Sequence, residues 1–363
     1  MSMNSLPALY NRLEPEGLVQ HFQAHPPEGF STLDLEGGVP AFVMSFDLLT
    51  TLEPTLRKRL ESLPLARWWR RWLHPQTCFI GTTVSEFALL PVATSPETLV
   101  RNLLAGMAPR YPFLIIKDIP TEDALIGDAA HAYSLRLSAV CREQGFILVE
   151  GQALAYVPID FTSVEEVFSR MSRARRKDLR RKLKSASALG IEAIPTGDAQ
   201  FQDEALLAVM HALYLNVYRQ SEIHFDRLTQ EFFRAVLQDA DSHGIVFLYR
   251  VGNELIGYNL CFVERGMLVD KYVGFAYPQA RECNLYTVSW FHNLEYARAQ
   301  GLHHYVAGWT DPEIKRALGA RFTLTRHAVY VRNPLLRGAL SLFKRFFEAD
   351  HRWQARHDAA AHS

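Results

Sequence analysis

Several features that mark common protein classes are missing from this chain of 363 residues. No GxSxG, GxxxxGK[ST] or GxGxxG segment occurs, which argues against serine hydrolases, P-loop nucleotide enzymes and Rossmann cofactor binding. The four cysteines form no CxxC pair, so neither a zinc ribbon nor a disulfide scaffold is predicted, and a reducing cytoplasm is the expected location. Because no HExxH or comparable ligand spacing occurs either, we predict no metal site.

Long apolar runs and an excess of charge are also missing. No apolar run approaches the roughly 20 residues that a membrane span needs, and the first residues lack the basic and apolar regions of a secretory signal. Lys and Arg together number 39, as do Asp and Glu, so general coating of nucleic acid is not expected. With 48% hydrophobic residues, the chain can bury one or two ordinary cores.

Positive charge is concentrated in one stretch, residues 163–190. Ser163 followed by Glu166 is typical of a capping box at a helix start. Apolar residues then recur at helical spacing, which leaves the Arg and Lys residues on the other face. Gly190 is the predicted C-cap. The pattern predicts one basic helix of roughly 40 Å, at 1.5 Å per residue, that joins two halves of the chain.

Alternating patterns surround this predicted helix. Residues 1–38 mix Pro, Gly and acids without periodicity, and we predict an irregular N-terminal extension. Residues 39–162 alternate strand-like and helical runs, which indicates a mixed α/β lobe. Residues 191–333 follow the order strand, two helices, three hairpin-connected strands, helix, strand, helix and strand, with turns at Asn253 and Gly266. This order differs from a doubly wound nucleotide fold and predicts a mixed, largely antiparallel sheet flanked by helices.

Two further segments combine aromatic, apolar and basic residues. In the first, Trp68, Trp69 and Trp72 alternate with Arg67, Arg70 and Arg71. The second, residues 334–363, predicts a C-terminal amphipathic helix and tail. Both patterns suit peripheral membrane contact or the cradling of an acyl chain, although a terminal helix more often docks on its own protein.

The element order over about 201–333, the run Arg175 to Arg181 and the segment EIKRALGARF together resemble a known family. They resemble the GNAT-fold acyltransferases, specifically the two-lobed branch of FemAB-like and CelD-like proteins. The resemblance covers roughly residues 150–333. It implies an α/β (α+β) fold with tandem GNAT-like sheets joined by the basic helix. Residues 39–162 are then a degenerate lobe, and residues 191–333 are the acyltransferase lobe.

The resemblance also implies a place for the acyl donor. GNAT enzymes hold the pyrophosphate of coenzyme A at a Gly-rich turn that opens a helix. The matching turn gives Arg281, Asn284 and Tyr286 as the implied cofactor-binding residues, with Asn284 and Tyr286 where the RxxGxG/A pattern has small residues. Lys315 stands four residues before Gly319, where many GNAT enzymes have a tyrosine acid and FemAB-like proteins often have a lysine.

Acyl transfer to an amine requires a base for the amine proton and fixed donors for the developing oxyanion. Asp270 and Tyr272 lie two residues apart on a predicted strand, so we expect them to share a face and to orient or deprotonate the amine. Lys315 is then expected to stabilise negative charge on the donor. A simple surface pair between Asp270 and Lys271 is the alternative.

The polar loop after the predicted helix over residues 203–220 supplies three candidates for substrate binding, Glu222, His224 and Asp226. The implied function is an N-acyltransferase that moves an acyl or aminoacyl group to a small amine. Its donor is an acyl-CoA, an acyl carrier protein thioester or an aminoacyl-tRNA, and no tightly bound cofactor is expected. Two alternatives stay open: a nucleic-acid-binding or tRNA-binding module that uses the basic helix, and a catalytically silent GNAT-fold scaffold.

Overall fold

The computed structural model describes residues 8–47, 74–221 and 225–342. The chain divides into two compact units. The first unit comprises Met1–Arg12, Gly29–Ala153 and Thr323–Ser363, and the second comprises Leu13–Glu28 and Leu154–Phe322. The Trp- and Arg-rich segment at residues 67–72 lies outside the described residues, as does most of the predicted C-terminal helix and tail.

A mixed main sheet, a separate pair of short strands and three helices form the described part of the first unit. Its strands are β1 (Leu9–Tyr10), β2 (Ser31–Asp34), β3 (Pro40–Ser45), β4 (Gln76–Ile80), β5 (Leu90–Pro91), β6 (Phe113–Pro120), the first part of β7 (Ile147–Pro158) and most of β13 (Arg321–Val331). The main sheet has the order β2-β3-β4-β6-β13-β7. In this sheet β4 and β6 pair in parallel, whereas β2 with β3, β3 with β4 and β6 with β13 pair antiparallel. Strand β1 pairs separately with β5.

Two helices of the first unit are α2 (Pro96–Gly106) and α3 (Asp128–Glu143). The start of α2 is determined by its sequence. Ser95 caps α2, because its hydroxyl accepts a hydrogen bond from the backbone N–H of Thr98 at 3.3 Å, and Pro96 occupies the first position, as expected. Its apolar face supplies Leu99, Val100 and Leu103 to the core of this unit. The apolar spacing of the sequence therefore fixes which side of α2 meets the sheet.

The second unit contains the remaining elements. They are α1 (Glu16–Ala24), α4 (Val164–Ser169), α5 (Arg173–Leu183), β8 (Gly190–Pro195), α6 (Glu204–Gln220), α7 (Gln230–Leu237), β9 (Gly244–Val251), β10 (Glu254–Glu264), β11 (Met267–Phe275), α8 (Gln279–Glu282), α9 (Leu285–Ala299), β12 (His304–Gly308) and α10 (Pro312–Ala317). The strand order is β8-β9-β10-β11-β12, followed by the end of β7. All of these pairs are antiparallel except β11 with β12.

A two-residue hairpin sets the register between β10 and β11. Arg265 and Gly266 have φ angles of 48° and 73°. Positive φ at both central positions is the mark of a type I′ turn, whose twist matches that of paired strands. The predicted turn at Gly266 is therefore confirmed. The predicted antiparallel pairing of the three strands that follow α6 and α7 is confirmed as well.

The two units repeat one pattern of strands. Each has three successive antiparallel strands, then a parallel pair, then an antiparallel neighbour: β2-β3-β4-β6-β13 in the first unit and β9-β10-β11-β12-β7 in the second. A helix connects the parallel strands in both units, α2 in the first and α9 in the second. The prediction of tandem, mixed and largely antiparallel sheets flanked by helices is confirmed.

The prediction of one continuous basic helix over residues 163–190 is wrong. Ser163 is the predicted N-cap, since it accepts from the N–H of Glu166, and the carboxylate of Glu166 accepts from the N–H of Thr162. Helix α4 nevertheless ends at Ser169, and α5 begins at Arg173. Ser172 takes an extended conformation and its hydroxyl accepts from the N–H of Arg175 at 3.4 Å. A second N-cap therefore starts a second helix. Gly190 is not a C-cap but the first residue of β8.

The N-terminal extension also differs from the prediction. Within residues 1–38, which were expected to be irregular, helix α1 contributes Leu18, Val19 and Phe22, all with an exposure of 0%. The pattern of these three residues spans little more than one turn, so periodicity alone did not reveal it. Their burial shows that this segment is part of the second unit's fold.

The last described helix is α11 (Pro334–Leu342). The side-chain oxygen of Asn333 accepts hydrogen bonds from the N–H groups of Leu335 at 2.9 Å and Leu336 at 3.2 Å, which caps the helix as the Asn-Pro start indicates. Within the described ranges, no helix combines the length and apolar character that crossing a bilayer requires.

Candidate active site

The parallel strands β11 and β12 separate in the middle of the second unit. Their paired register runs from Met267 with His304 to Val269 with Val306. Strand β11 continues to Phe275 beyond the end of this register. Asp270 is the next residue after the last paired position, so its side chain lies where the two strands diverge.

Four side chains surround the carboxylate of Asp270. Its Oδ2 accepts hydrogen bonds from Nδ2 of Asn259 at 2.8 Å, from Nδ2 of Asn293 at 3.0 Å and from the hydroxyl of Tyr305 at 2.9 Å. Its Oδ1 faces only the thiol of Cys261, at 3.6 Å, among the described residues. The two oxygens therefore differ: Oδ2 is fully engaged, and Oδ1 retains the capacity to accept a proton.

Burial dominates the electrostatics of Asp270. Loss of solvent raises its pKa from 3.8 to about 6, although the hydrogen bonds from Tyr305 and Asn259 and the charge of Lys315 lower it. A carboxylate with a pKa near 6 is a stronger base than an ordinary aspartate and is still ionised at neutral pH. This combination suits a general base for an amine.

Lys315 lies on α10 with only 4% of its surface exposed. Its ammonium donates a hydrogen bond to the carbonyl oxygen of Ala307 at 2.7 Å, which ties α10 to the end of β12. Ala307 directly follows Val306, whose partner Val269 directly precedes Asp270, so the ammonium is held at the end of β12 nearest to Asp270, and its charge lowers the pKa of that carboxyl group. A buried cation beside the gap can stabilise an oxyanion in a low-dielectric setting.

The expected shared face of Asp270 and Tyr272 is wrong, because β11 carries a bulge between them. Cys261 pairs with Asp270 and the preceding residue Leu260 pairs with Tyr272, so Lys271 is an extra residue on β11. A bulge interrupts the alternation of side chains. Tyr272 consequently packs against a cluster of rings on α6 and α7, namely Tyr214, Phe232 and Phe233, and not beside Asp270.

The alternative of a surface pair between Asp270 and Lys271 is not what the structure shows. The ammonium of Lys271 lies 3.4 Å from Oε1 of Glu14, and the side chains are only 6% and 0% exposed. Lys271 is therefore held in a buried ion pair with the segment that precedes α1. Asp270 has its own separate set of partners.

The backbone of the turn before α9 has a conformation typical of glycine, although the turn contains no glycine. Asn284 has φ 51° and ψ 37°, the left-handed conformation that glycine adopts most readily. Tyr286 is a large residue at the first turn of α9; burial raises its pKa, and the charges of Asp311 and Asp270 raise it further. Its ring is partly buried and packs against the core of the second unit.

Arg281, the third implied residue of this turn, points to other partners. Its guanidinium lies over the ring of Tyr277, 4.9 Å from the centroid, and donates to the side-chain oxygen of Gln220 at 3.0 Å. The backbone at Asn284 thus keeps the conformation that the GNAT pattern requires. The side chains of Tyr286 and Arg281 make the turn bulkier than a Gly-rich phosphate cradle.

The loop after α6 is described only in part. Glu222 and His224, two of the three substrate-binding candidates, lie outside the described residues. The backbone carbonyl of Asp226 accepts from the hydroxyl of Tyr214 at 3.4 Å. Asp226 therefore lies with the ring cluster that holds Tyr272, and the structure does not bring it to Asp270.

Three important partners of Asp270 were not identified from the sequence: Asn259, Asn293 and Tyr305. Asn259 is 1% exposed and Asn293 is 0% exposed. Within the described ranges, the side-chain oxygens of both asparagines accept no hydrogen bond although they are buried. The usable signal was an amide in the middle of an apolar strand or helix, because a buried polar group needs a partner.

Comparisons with known proteins give one family match, and it covers the region of this site. A family model described as an acetyltransferase (GNAT) domain matches residues 173–316, which include Asn259, Asp270, Asn293, Tyr305 and Lys315. No curated protein matches the chain in sequence.

Solved structures add three similar folds. The C-terminal domain (DUF2156) of an Agrobacterium fabrum protein assigned to the lysylphosphatidylglycerol synthetases has 11% identity and a TM-score of 0.54, covering 91% of this chain and 90% of that one. L-PGS from Bacillus licheniformis has 10% identity and a TM-score of 0.53, covering 94% and 99%. FemX has 13% identity and a TM-score of 0.50, covering 89% and 97%. At these identities the likeness shows a common fold over nearly the whole chain.

Proposed function

We propose that this chain is an acyltransferase of the two-lobed, FemAB-like GNAT type, and that it transfers an aminoacyl group from the ester of an aminoacyl-tRNA to a small amine; the GNAT domain match over residues 173–316 and the similar folds support this proposal. The observation that carries the proposal is the asymmetric carboxylate of Asp270. Three donors hold Oδ2, and Oδ1 is left to take a proton. A positioned base of this kind is what an attacking amine requires.

The proposed reaction uses two residues directly. The neutral amine attacks the ester carbonyl, a C–N bond forms and Asp270 accepts the proton that the amine loses. Lys315 stabilises the oxyanion that develops on the carbonyl oxygen. Collapse of this intermediate breaks the C–O bond, and the proton returns to the leaving ribose oxygen. Asn259, Asn293 and Tyr305 act as positioning residues for Asp270.

The choice of an ester donor over coenzyme A rests on the turn before α9. Tyr286 stands where the GNAT pattern has a small residue, and its partly buried ring lies at the first turn of α9. A ring in this position reduces the space for the pyrophosphate and the pantetheine arm. The name of one similar fold, assigned to the lysylphosphatidylglycerol synthetases, contains a lysyl group, which is an aminoacyl group of the kind that we propose is transferred here.

The donor is tested with Tyr286→Ala and the unchanged protein side by side. Calorimetric titration with acetyl-CoA and with a long-chain acyl-CoA is expected to show no binding to the unchanged protein, and measurable binding to the variant because the ring is gone. Transfer from a mixture of aminoacyl-tRNAs to small amines is expected from the unchanged protein. Micromolar binding of either thioester by the unchanged protein would overturn the ester donor. Absence of transfer from every aminoacyl-tRNA would also contradict the proposal.

A further inference from the structure

An open cavity of about 350 Å³ lies in the second unit beside the helix that carries Lys315. Its walls come from the end of β7, the segment joining α4 to α5, the helix α10 and the start of β13. Lys315 turns to the carbonyl of Ala307, whereas its neighbour Arg316 lines the cavity. One helix therefore borders both the candidate active site and this second concave surface.

Arginines dominate the charge of this cavity. Arg170, Arg175, Arg316 and Arg321 line it, and Asp160 is the one acid among the lining residues, all of which lie in the described part of the chain. Asp160 engages two of the four, since its carboxylate lies 2.5 Å from Arg170 and 3.7 Å from Arg321. The cavity thus has a net positive charge of about three, which attracts anions.

Arg175 is the arginine most available to a ligand. Within residues 8–47, 74–221 and 225–342 it forms no ion pair, and its position on the first turn of α5 is fixed by the cap at Ser172. Other basic residues of the same run are engaged elsewhere: Arg176 holds the backbone oxygens of Ser169 and Met171, and Arg181 pairs with Asp178 at 2.6 Å. Arg176 and Arg181 therefore have partners within the protein, whereas Arg175 faces the cavity.

The chemistry of the cavity fits a phosphodiester. Guanidinium groups bind phosphate with two parallel hydrogen bonds, and N–H groups at the start of α5 favour the same charge. Apolar side chains, among them Phe161 and Met171, form another part of the wall, which suits the sugar and base attached to a phosphate.

A polynucleotide fits these observations better than a lipid surface. Interfacial binding requires neighbouring exposed apolar residues that enter the bilayer. In the described part of the second unit, the large exposed apolar residues are Val209, Val251 and Ile314, which lie on three different elements. No apolar patch accompanies the arginines of the cavity in that part of the chain.

We propose that the cavity lined by Arg170, Arg175, Arg316 and Arg321 binds a backbone phosphate of the RNA that carries the aminoacyl donor. The proposal rests on the proposed function for the identity of the RNA as the donor. The binding of RNA at this place is tested separately from the reaction.

The test measures anisotropy of a fluorescent single-stranded oligoribonucleotide of about six nucleotides at low salt. The double variant Arg175→Ala/Arg321→Ala is expected to bind at least about ten-fold more weakly and to reduce the salt slope by about one to two. The control Arg181→Ala removes one positive charge from α5 outside the cavity and is expected to change affinity less than about two-fold. Circular dichroism and thermal unfolding check that each variant is folded.

Three outcomes would overturn the proposal. Equal weakening by Arg181→Ala would indicate a general basic surface. Unchanged affinity of the double variant would remove the cavity from RNA binding. Cavity-dependent binding of phosphatidylglycerol vesicles without oligonucleotide binding would identify a lipid headgroup as the ligand. Aminoacyl transfer is measured separately with Asp270→Asn, which is expected to lose transfer and to keep its affinity for the oligonucleotide. Failure of the proposed function is therefore distinguishable from failure of this binding site.

Discussion

Replacing Asp270 by asparagine is expected to stabilise the protein near neutral pH while it removes transfer activity. Asparagine has the shape of protonated aspartate, and its side-chain oxygen can accept the three hydrogen bonds that now reach Oδ2. The variant therefore retains the hydrogen-bond network and lacks the buried negative charge. It also lacks the base that would accept the amine proton.

The magnitude follows from the pKa of Asp270, which burial raises from 3.8 to about 6. A carboxyl group with a higher pKa in the folded state binds its proton more tightly there, so the free energy of unfolding falls as the pH rises from about 4 to about 6. At about 1.36 kcal/mol per pKa unit, this contribution is about 3 kcal/mol at most. The loss is complete above pH 6, and asparagine avoids it.

The assay is urea unfolding of both proteins at pH 4 and pH 8. We expect the variant to gain about 1 to 3 kcal/mol in free energy of unfolding relative to the unchanged protein between these two pH values. Transfer is measured in parallel and is expected to fall by at least about a hundred-fold. A stability difference that is the same at both pH values would refute the raised pKa, and full transfer activity would refute the role of Asp270 as the base.

Two further perturbations test other parts of the second unit. Lys315→Met removes the charge that lowers the pKa of Asp270, so the midpoint of the rise of kcat/KM with pH is expected to move upward and kcat to fall about a hundred-fold; an unchanged kcat would remove Lys315 from the mechanism. Gly274→Ala would place a Cβ into the ring of Tyr258 and 2.8 Å from Cβ of Leu213, so thermal and urea unfolding should show a loss of about 1 to 3 kcal/mol. The control Gly106→Ala meets nothing within 4 Å, and an equal loss there would contradict the packing argument.

The sequence predicted the elements that depend on local signals. The cap at Ser95, the turn at Gly266 and the long apolar strands all follow from residue type and period, and the structure confirms them. The break between α4 and α5 was missed because the apolar period continues across it. The cap at Ser172 overrides that period, since its hydroxyl binds the N–H of Arg175.

The sequence predicted individual reactive residues of the candidate site but not the residues that surround them. Asp270 and Lys315 were identified by residue type and resemblance. The asparagines around Asp270 come from β10 and α9, which are distant in sequence, and only the folded sheet brings their amides to one carboxylate. Local patterns carry no information about such convergence. The ring cluster at Tyr272 was missed for the same reason.

The bulge at Lys271 links these observations. Without the extra residue, strand alternation would place Asp270 and Tyr272 on one face and would set Lys271 on the other. With it, Asp270 faces Asn293 of α9 while Lys271 enters a buried ion pair with Glu14. Bulges re-aim side chains, and the buried ion pair with Glu14 stabilises the register in which Lys271 is the extra residue. The segment before α1 therefore helps to hold the carboxylate of Asp270 at the point where β11 and β12 separate.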